Sequence, residues 1–209
     1  MSGTQNNLIF FSPNKVILDL FEKHKCNSLG ELHKKIEGKR GFVDDRELFF
    51  GSVFTLGIGI VQHHDCLVRL ADQEPWDVEI VDNTLLQKGK TPNHFYVQNV
   101  HITKHYIENE IKNDNNNIYK IIAKFLDEKK LSPKRGDYKG GLLVFHIGAN
   151  INGNFYLPSL RKTVREIKQD KFEQIWVTNF SKPDYSEANL SELLKSDMEL
   201  LKFPLNIFK

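Results

Sequence analysis

Two polar residues on successive predicted strands are the side chains of this chain best suited to do chemistry. Asp77 completes a Pro75-Trp76-Asp77 sequence that opens one strand, and Gln98 lies inside the strand that follows. A metal-dependent phosphodiesterase site can be built on this pattern. In such a site a hard cation with oxygen ligands polarises the scissile phosphate and acidifies the attacking water.

The overall charge excludes one class of nucleic-acid-binding protein. The 209 residues include 29 Lys and Arg and 27 Asp and Glu, which gives a net charge of +2. A protein that coats nucleic acid by electrostatics alone carries a larger basic excess. Any contact with a polyanion must therefore be local. The basic loop at residues 129–139 is a candidate for it, although such a run is more commonly a solvated loop.

The chain is expected to be cytoplasmic. Cys26 and Cys66 are too few for a disulfide framework and lack metal-ligand spacing, which fits a reducing compartment. Residues 1–7 lack the basic stretch, apolar run and cleavage site of a secretory leader. The longest apolar stretch, residues 49–61, is interrupted by Ser52, Thr55 and three glycines. No membrane contact is therefore expected.

Helical spacing of apolar residues predicts three helices in the first third of the chain. Ser12 and Pro13 are suited to begin a helix over residues 13–25, and Ser28 can cap a second one over residues 27–37. These two helices form a small N-terminal extension. A longer helix is expected over residues 45–62, and its glycines suggest close packing against another backbone.

The period then changes to that of strands. Residues 67–70, 78–81 and 95–102 are predicted to form an antiparallel meander, with a polar loop at 83–93. A helix capped by Asn117 and a strand at 141–147 covered on both faces should follow. A further helix at 158–169 and a strand at 172–180 argue for at least one parallel pairing. A helical stripe of apolar residues predicts a last helix over residues 187–202.

This order of elements, with Asp77 and Gln98 on the second and third strands, resembles the PD-(D/E)xK, or restriction-endonuclease-like, superfamily. More narrowly, the chain is similar to bacterial proteins with a PPDVEV strand followed by a strand with Glu or Gln between hydrophobic residues. The resemblance covers residues 44–180 and implies a mixed α/β (α+β) fold with a central sheet of about five strands flanked by helices. We therefore predict a nuclease-like domain at residues 44–209, after a helical extension at residues 1–43.

The resemblance implies a metal site with a degenerate set of ligands. Asp77 matches the aspartate of the family and Gln98 occupies its acid position, so both are expected to hold Mg²⁺ or Mn²⁺. Gln98 ligates through its amide oxygen but brings no negative charge. Glu79 is expected to compensate, since residues two apart on a strand share a face.

The resemblance also implies a lysine and a further acid. Val100 stands where the family has a lysine that orients the attacking water, and Lys120 or Lys124 on the next helix would serve instead. Family members often place a glutamate on the helix before the meander, and Glu47 matches it. Asp44 and Glu47 also form a capping-box pattern, in which Glu47 would reach back to the Asp44 backbone amide.

Each of these side chains has a structural alternative. Asp77 could end a turn by bonding backbone amides, and Gln98 could be a hydrogen-bonded residue of a half-buried strand. His94, His101 and His105 lie near the expected site, where one could act on a phosphate or a proton. Each is more commonly a surface or packed histidine.

Three hypotheses for the function follow. The first is a magnesium-dependent hydrolase in which water attacks a phosphodiester of DNA or RNA. The second is a catalytically inactive nuclease-like domain that serves as a binding or assembly module, which Gln98 and Val100 favour. The third is an unrelated α/β fold in which Asp77 and Gln98 point to opposite faces. A homodimer is compatible with the predicted fold.

Overall fold

A mixed sheet of seven strands with helices on both faces organises the chain. The computed structural model describes residues 9–37, 40–102, 118–131, 140–148, 156–167, 171–182, 184–195 and 197–205. The helices in these residues are α1 (Pro13–His24), α2 (Leu29–Ile36), α3 (Val43–Gln62), α4 (Asn83–Gln87), α5 (Ile118–Leu131) and α6 (Leu157–Glu166). The strands are β1 (Cys66–Leu70), β2 (Val78–Asp82), β3 (His94–Ile102), β4 (Gly141–Ile147), β5 (Phe172–Phe180), β6 (Glu187–Glu192) and β7 (Leu201–Pro204).

The strands lie in the sheet in their order along the chain. β1, β2 and β3 pair antiparallel, β3, β4 and β5 pair parallel, and β5, β6 and β7 pair antiparallel. The predicted meander and the predicted parallel pairing are therefore confirmed. On the open edge of β1, Phe11 and Val68 exchange two backbone hydrogen bonds of 3.0 and 2.9 Å.

Apolar side chains fill both sides of the sheet. On one side, α1, α2 and α3 pack against a sheet face that carries Val68, Val97 and Val144. On the other side, α5 and α6 pack against a face that carries Val100 and Phe145. This arrangement confirms a mixed α/β fold. α1 and α2 belong to the same apolar cluster as α3, so they pack on the sheet. The predicted domain boundary between residues 43 and 44 stays a prediction.

The sheet has seven strands where about five were expected, and the helix predicted over residues 187–202 is wrong. Most of that stretch forms β6 and the turn into β7. Leucines every three or four residues have helical spacing, but Leu190 and Leu193 are buried on opposite sides of the sheet. The pairing of β6 with β5, which places Leu190 opposite Thr178, outweighs the local pattern.

Capping serines begin the first two helices. The Ser12 and Ser28 hydroxyls accept backbone N–H groups at 3.3 and 3.2 Å and begin α1 and α2 as predicted. The polar loop at 83–93 instead contains α4, where the Asp82 carboxylate accepts from the Leu85 amide at 3.0 Å. Asn117 and most of the basic loop, residues 132–139, lie outside the described residues.

Among the residues that the structure describes, no helix combines the length and apolar character needed to cross a bilayer.

The contact between Gly141 and Trp76 gives a test of the fold beside Asp77. A Cβ atom at Gly141 would lie 1.9 Å from the Trp76 ring, so Gly141→Ala must displace the indole. We expect the free energy of unfolding to fall by about 1–3 kcal/mol, as for other overpacked sites. Urea denaturation followed by circular dichroism and tryptophan fluorescence measures it.

Gly41→Ala is the matched control, because nothing lies within 4 Å of the Cβ it would add. Equal stability of the two variants would contradict the close packing of Trp76 on β4.

Candidate functional site

Asp77 and Gln98 lie side by side at the start of the β2 and β3 pairing. The Asp77 amide donates to the Val97 carbonyl at 2.9 Å, which fixes the residue just before β2. The Gln98 side-chain amide donates a hydrogen bond to Asp77 Oδ2. The Asn99 backbone N–H donates to the same oxygen at 2.6 Å. The structure thus brings together the two residues that the sequence pattern singled out.

The direction of the Gln98 hydrogen bond decides what this pair can do. Gln98 is 8% exposed and presents an N–H donor, not an oxygen, to the Asp77 carboxylate. Two N–H groups already stabilise the negative charge on that oxygen. A hard cation is held by oxygen lone pairs. In this orientation Gln98 directs no oxygen at the point that it shares with Asp77.

Glu79 is engaged elsewhere. Its carboxylate receives a hydrogen bond from the Arg69 guanidinium and lies 2.9 Å from His94 Nδ1. The Phe10 ring lies 5.0 Å from the Arg69 guanidinium carbon and covers this group. Glu79 is only 2% exposed. It acts as the buried half of an ion pair and does not add its charge to Asp77.

Glu47 is held by His101 on the opposite face of the sheet. Glu47 Oε2 lies 2.9 Å from His101 Nε2, and the Arg46 guanidinium lies 3.4 Å from Glu47 Oε1. The capping-box interpretation is wrong, because α3 begins at Val43 and Asp44 is already inside the helix. Its N-cap residue makes no side-chain hydrogen bond.

Alternation along β3 explains why Glu47 and Gln98 are on different sides. Val100 belongs to the apolar cluster under α5 and α6, so Gln98, two residues before it, shares that face. Asn99 and His101 point the other way, towards α3. The predicted four-residue site is therefore divided between two faces.

The environment of Glu47 favours its charged form. Burial of Glu47 opposes ionisation, but the hydrogen bond and charge of His101 and the charge of Arg46 outweigh it and lower the pKa of Glu47. A paired carboxylate of this kind holds α3 against β3. Its contribution to stability is present above the usual Glu pKa and is lost as the pH falls through the lowered value.

Asn99 connects the two faces, and sequence reasoning missed it. Its backbone N–H binds Asp77, and its side-chain amide donates to the Glu47 carbonyl at 3.5 Å. Its Oδ1 accepts from His146 Nε2 at 2.9 Å, and the Thr178 hydroxyl lies 2.6 Å from His146 Nδ1. The available signal was His146, the single polar residue inside the apolar run of β4.

Val100, which stands where the resemblance implies a lysine, lies in the hydrophobic core. Val100 is 4% exposed and packs with Ile102 and Ile122, where a charged amine would be costly. Lys120 is an exposed residue in the first turn of α5, on the side of the sheet that carries Gln98. Its proposed role stays a prediction. His105, the third histidine of the expected site, lies outside the described residues.

Grouped metal ligands are not found in the part of the chain that the structure describes: no three His, Cys, Asp or Glu side chains there could hold an ion together. A groove of about 450 Å³ lies between α1, α3 and β1, with Leu20, Leu48 and Leu70 in its wall. Asp77, Gln98 and Glu47 do not line this groove. The Asp77 and Gln98 pair is thus a site of hydrogen bonding, without a clustered set of acids.

The Glu47 and His101 pair can be tested by stability. Glu47→Gln removes a charge-assisted hydrogen bond and should lower the free energy of unfolding at pH 7 by about 1–3 kcal/mol. Because the pKa of Glu47 is lowered in the folded state, the difference from the wild type should close as the pH falls below about 4.5. Urea unfolding across that range measures it.

Glu22→Gln, at an exposed position of α1, is the control and should be neutral. A pH-independent loss in Glu47→Gln would contradict the role of the charge.

Comparison with known proteins found no family model that matches the chain and no significantly similar curated protein or solved structure. The resemblance to restriction-endonuclease-like proteins therefore stays a prediction from the sequence. Function has to be argued from the geometry of the site.

Proposed function

We propose that this chain is a nuclease-like α/β domain that does not hold a catalytic divalent ion and serves as a binding or assembly module. The hydrogen bond from the Gln98 amide to the Asp77 carboxylate is the observation that carries the proposal. It places a donor where a metal site needs a second acceptor. Asp77 then has a structural task, which is to hold the start of β2 against β3.

The neighbouring side chains support this proposal. Glu79, the carboxylate that would compensate for Gln98, forms an ion pair with Arg69 and contacts His94. Val100 places an apolar side chain where restriction-endonuclease-like proteins have a lysine. A positioned proton-transfer group contributes typically about 10²–10⁴-fold in rate, so an active site without one would be poor. Among the described residues, the carboxylates expected to assist Asp77, which are Glu79 and Glu47, are committed to other partners.

A second candidate is a phosphodiesterase that acts on DNA or RNA with Mg²⁺ or Mn²⁺. The contact between Asp77 and Gln98 favours it, because half a turn of the amide about its last bond would exchange the nitrogen for the oxygen. Both oxygens would then face the same point. The two candidates differ in whether the folded protein binds a divalent ion.

Manganese titration by calorimetry separates the two candidates. We expect no saturable binding by the wild type, by Asp77→Ala or by the exposed-site control Asp19→Ala. Incubation with DNA and RNA in Mn²⁺ should give no cleavage above background. Saturable binding that is lost in Asp77→Ala and retained in Asp19→Ala would overturn the proposal and support the phosphodiesterase.

Gln98→Glu tests whether the site lacks a second negative charge. It replaces a donor by a carboxylate facing Asp77, so the two acids repel in a half-buried place. In EDTA at pH 7.5 we expect the free energy of unfolding to fall by about 1–3 kcal/mol, with recovery in Mn²⁺, since an ion that binds only the folded state stabilises it. Thermal denaturation with and without Mn²⁺ measures both effects.

Gln73→Glu, in the exposed turn before Asp77, is the matched control and should respond to neither condition. If Gln98→Glu behaved in the same way, the side chain at position 98 would not face the Asp77 carboxylate.

A further inference from the structure

Three histidine rings surround Phe50 between the helices and the sheet. The ring centroid of Phe50 lies 5.6 Å from that of His33 on α2, 4.5 Å from His101 on β3 and 4.8 Å from His146 on β4. His33 and His146 are 2% and 1% exposed. We call these three residues the histidine cluster. It joins α2 and α3 to the parallel strands.

The hydrogen-bond partners of His146 suit a neutral ring. Asn99 Oδ1 is an acceptor, because the Asn99 amide nitrogen donates to the Glu47 carbonyl. His146 Nε2 therefore donates, and in the neutral ring Nδ1 accepts from the Thr178 hydroxyl. Both ring nitrogens are used, and their partners in the described part of the chain, Asn99 and Thr178, carry no carboxylate. A second proton on His146 would bring a charge without a counter-charge.

Few charged groups of the described residues lie around the cluster. Glu47 and Arg46 on α3 face His101, and Glu47 accepts its hydrogen bond. Just after α2, Glu37 Oε2 lies 3.3 Å from His33 Nδ1. Burial raises the pKa of Glu37, which weakens it as a counter-ion. On its other side His33 stacks on Tyr185 at 4.3 Å. Of the three rings, His101 has the shortest contact with a carboxylate among the described residues.

Like charges would also meet inside the cluster. The His101 and His146 rings stack with their centroids 5.3 Å apart. Burial and the charge of His101 lower the pKa of His33 to about 4, and the same causes lower the pKa of His146 well below its usual value of 6.5. The folded protein therefore keeps these two rings neutral at pH values where an exposed histidine takes up a proton.

We propose that the histidine cluster is an acid-triggered switch, in which protonation of His33 and His146 separates the α2 and α3 layer from strands β3, β4 and β5. The separated state exposes both rings to water, where they accept protons freely. The cluster lies between the moving layers, since Phe50 of α3 touches a histidine of α2, of β3 and of β4. This inference is independent of metal binding at Asp77.

The direction of the effect follows from proton linkage. The folded state binds fewer protons at His33 and His146 than the open state below the usual pKa, so opening becomes easier as the pH falls. Between pH 7.5 and 5.0 each of the two histidines should raise the opening constant by about 30-fold. Together they should raise it by about 1,000-fold.

Hydrogen exchange followed by mass spectrometry tests the switch, with rates corrected for the intrinsic effect of pH. Peptides from α2 and α3 should lose protection between pH 7.5 and 5.0, while peptides from β4 and β5 keep theirs. Equal loss in helices and sheet would mean global acid unfolding and would overturn the switch.

Two variants assign the effect to named rings. His33→Phe keeps an aromatic ring among Phe49, Phe50 and Tyr185 and should reduce the loss of protection by about 30-fold. His146→Gln keeps a donor and an acceptor for Asn99 and Thr178 and should have the same effect. Because the substitutions are in different elements, failure of one variant to fold leaves the other as the test.

His63→Asn is the control, at an exposed position in the left-handed conformation (φ 54°) that asparagine tolerates. It should respond to acid as the wild type does. An unchanged acid response in folded His33→Phe or His146→Gln would overturn the proposal.

Discussion

The hydrogen bonds of Asn99 are the interaction on which the centre of this structure depends. Through its backbone and side chain this residue contacts Asp77 before β2, Glu47 on α3 and His146 on β4. A buried polar group without a partner costs about 1–3 kcal/mol, so each of these partners requires the others to stay in place. The network fixes the position of α3 over the parallel strands more specifically than apolar packing alone can.

The same strand separates two kinds of chemistry. Residues of β3 alternate between the α3 face, with Asn99 and His101, and the α5 face, with Gln98 and Val100. Side chains that are neighbours in the sequence are thus kept apart by the thickness of the sheet. The acids expected to surround one cation become three local arrangements, at Asp77, Glu79 and Glu47, each with its own hydrogen-bond donors.

Features set by residues close together in the sequence could be predicted, whereas features set by contacts between distant residues could not. The meander, the parallel crossover and the caps at Ser12 and Ser28 depend on local period and turn chemistry, and they were predictable. The nearness of Asp77 and Gln98 follows from the register of two adjacent strands. The partner of Glu47 is 54 residues away, and β6 depends on an edge that β5 offers, so neither could be found from a local pattern. His146 lies in an apolar run of the sequence. Its partners lie on two other strands, so that run alone could not reveal them.

The short bridge between Phe11 and Val68 has a consequence for the behaviour of the protein at high concentration. β1 is an outer strand of the sheet, and an outer strand offers unpaired amides and carbonyls to any other extended chain. By using both backbone groups of Val68, the segment that contains Phe11 blocks the middle of that strand. The residues just before α1 therefore protect this edge of the sheet from pairing with the sheet of another molecule.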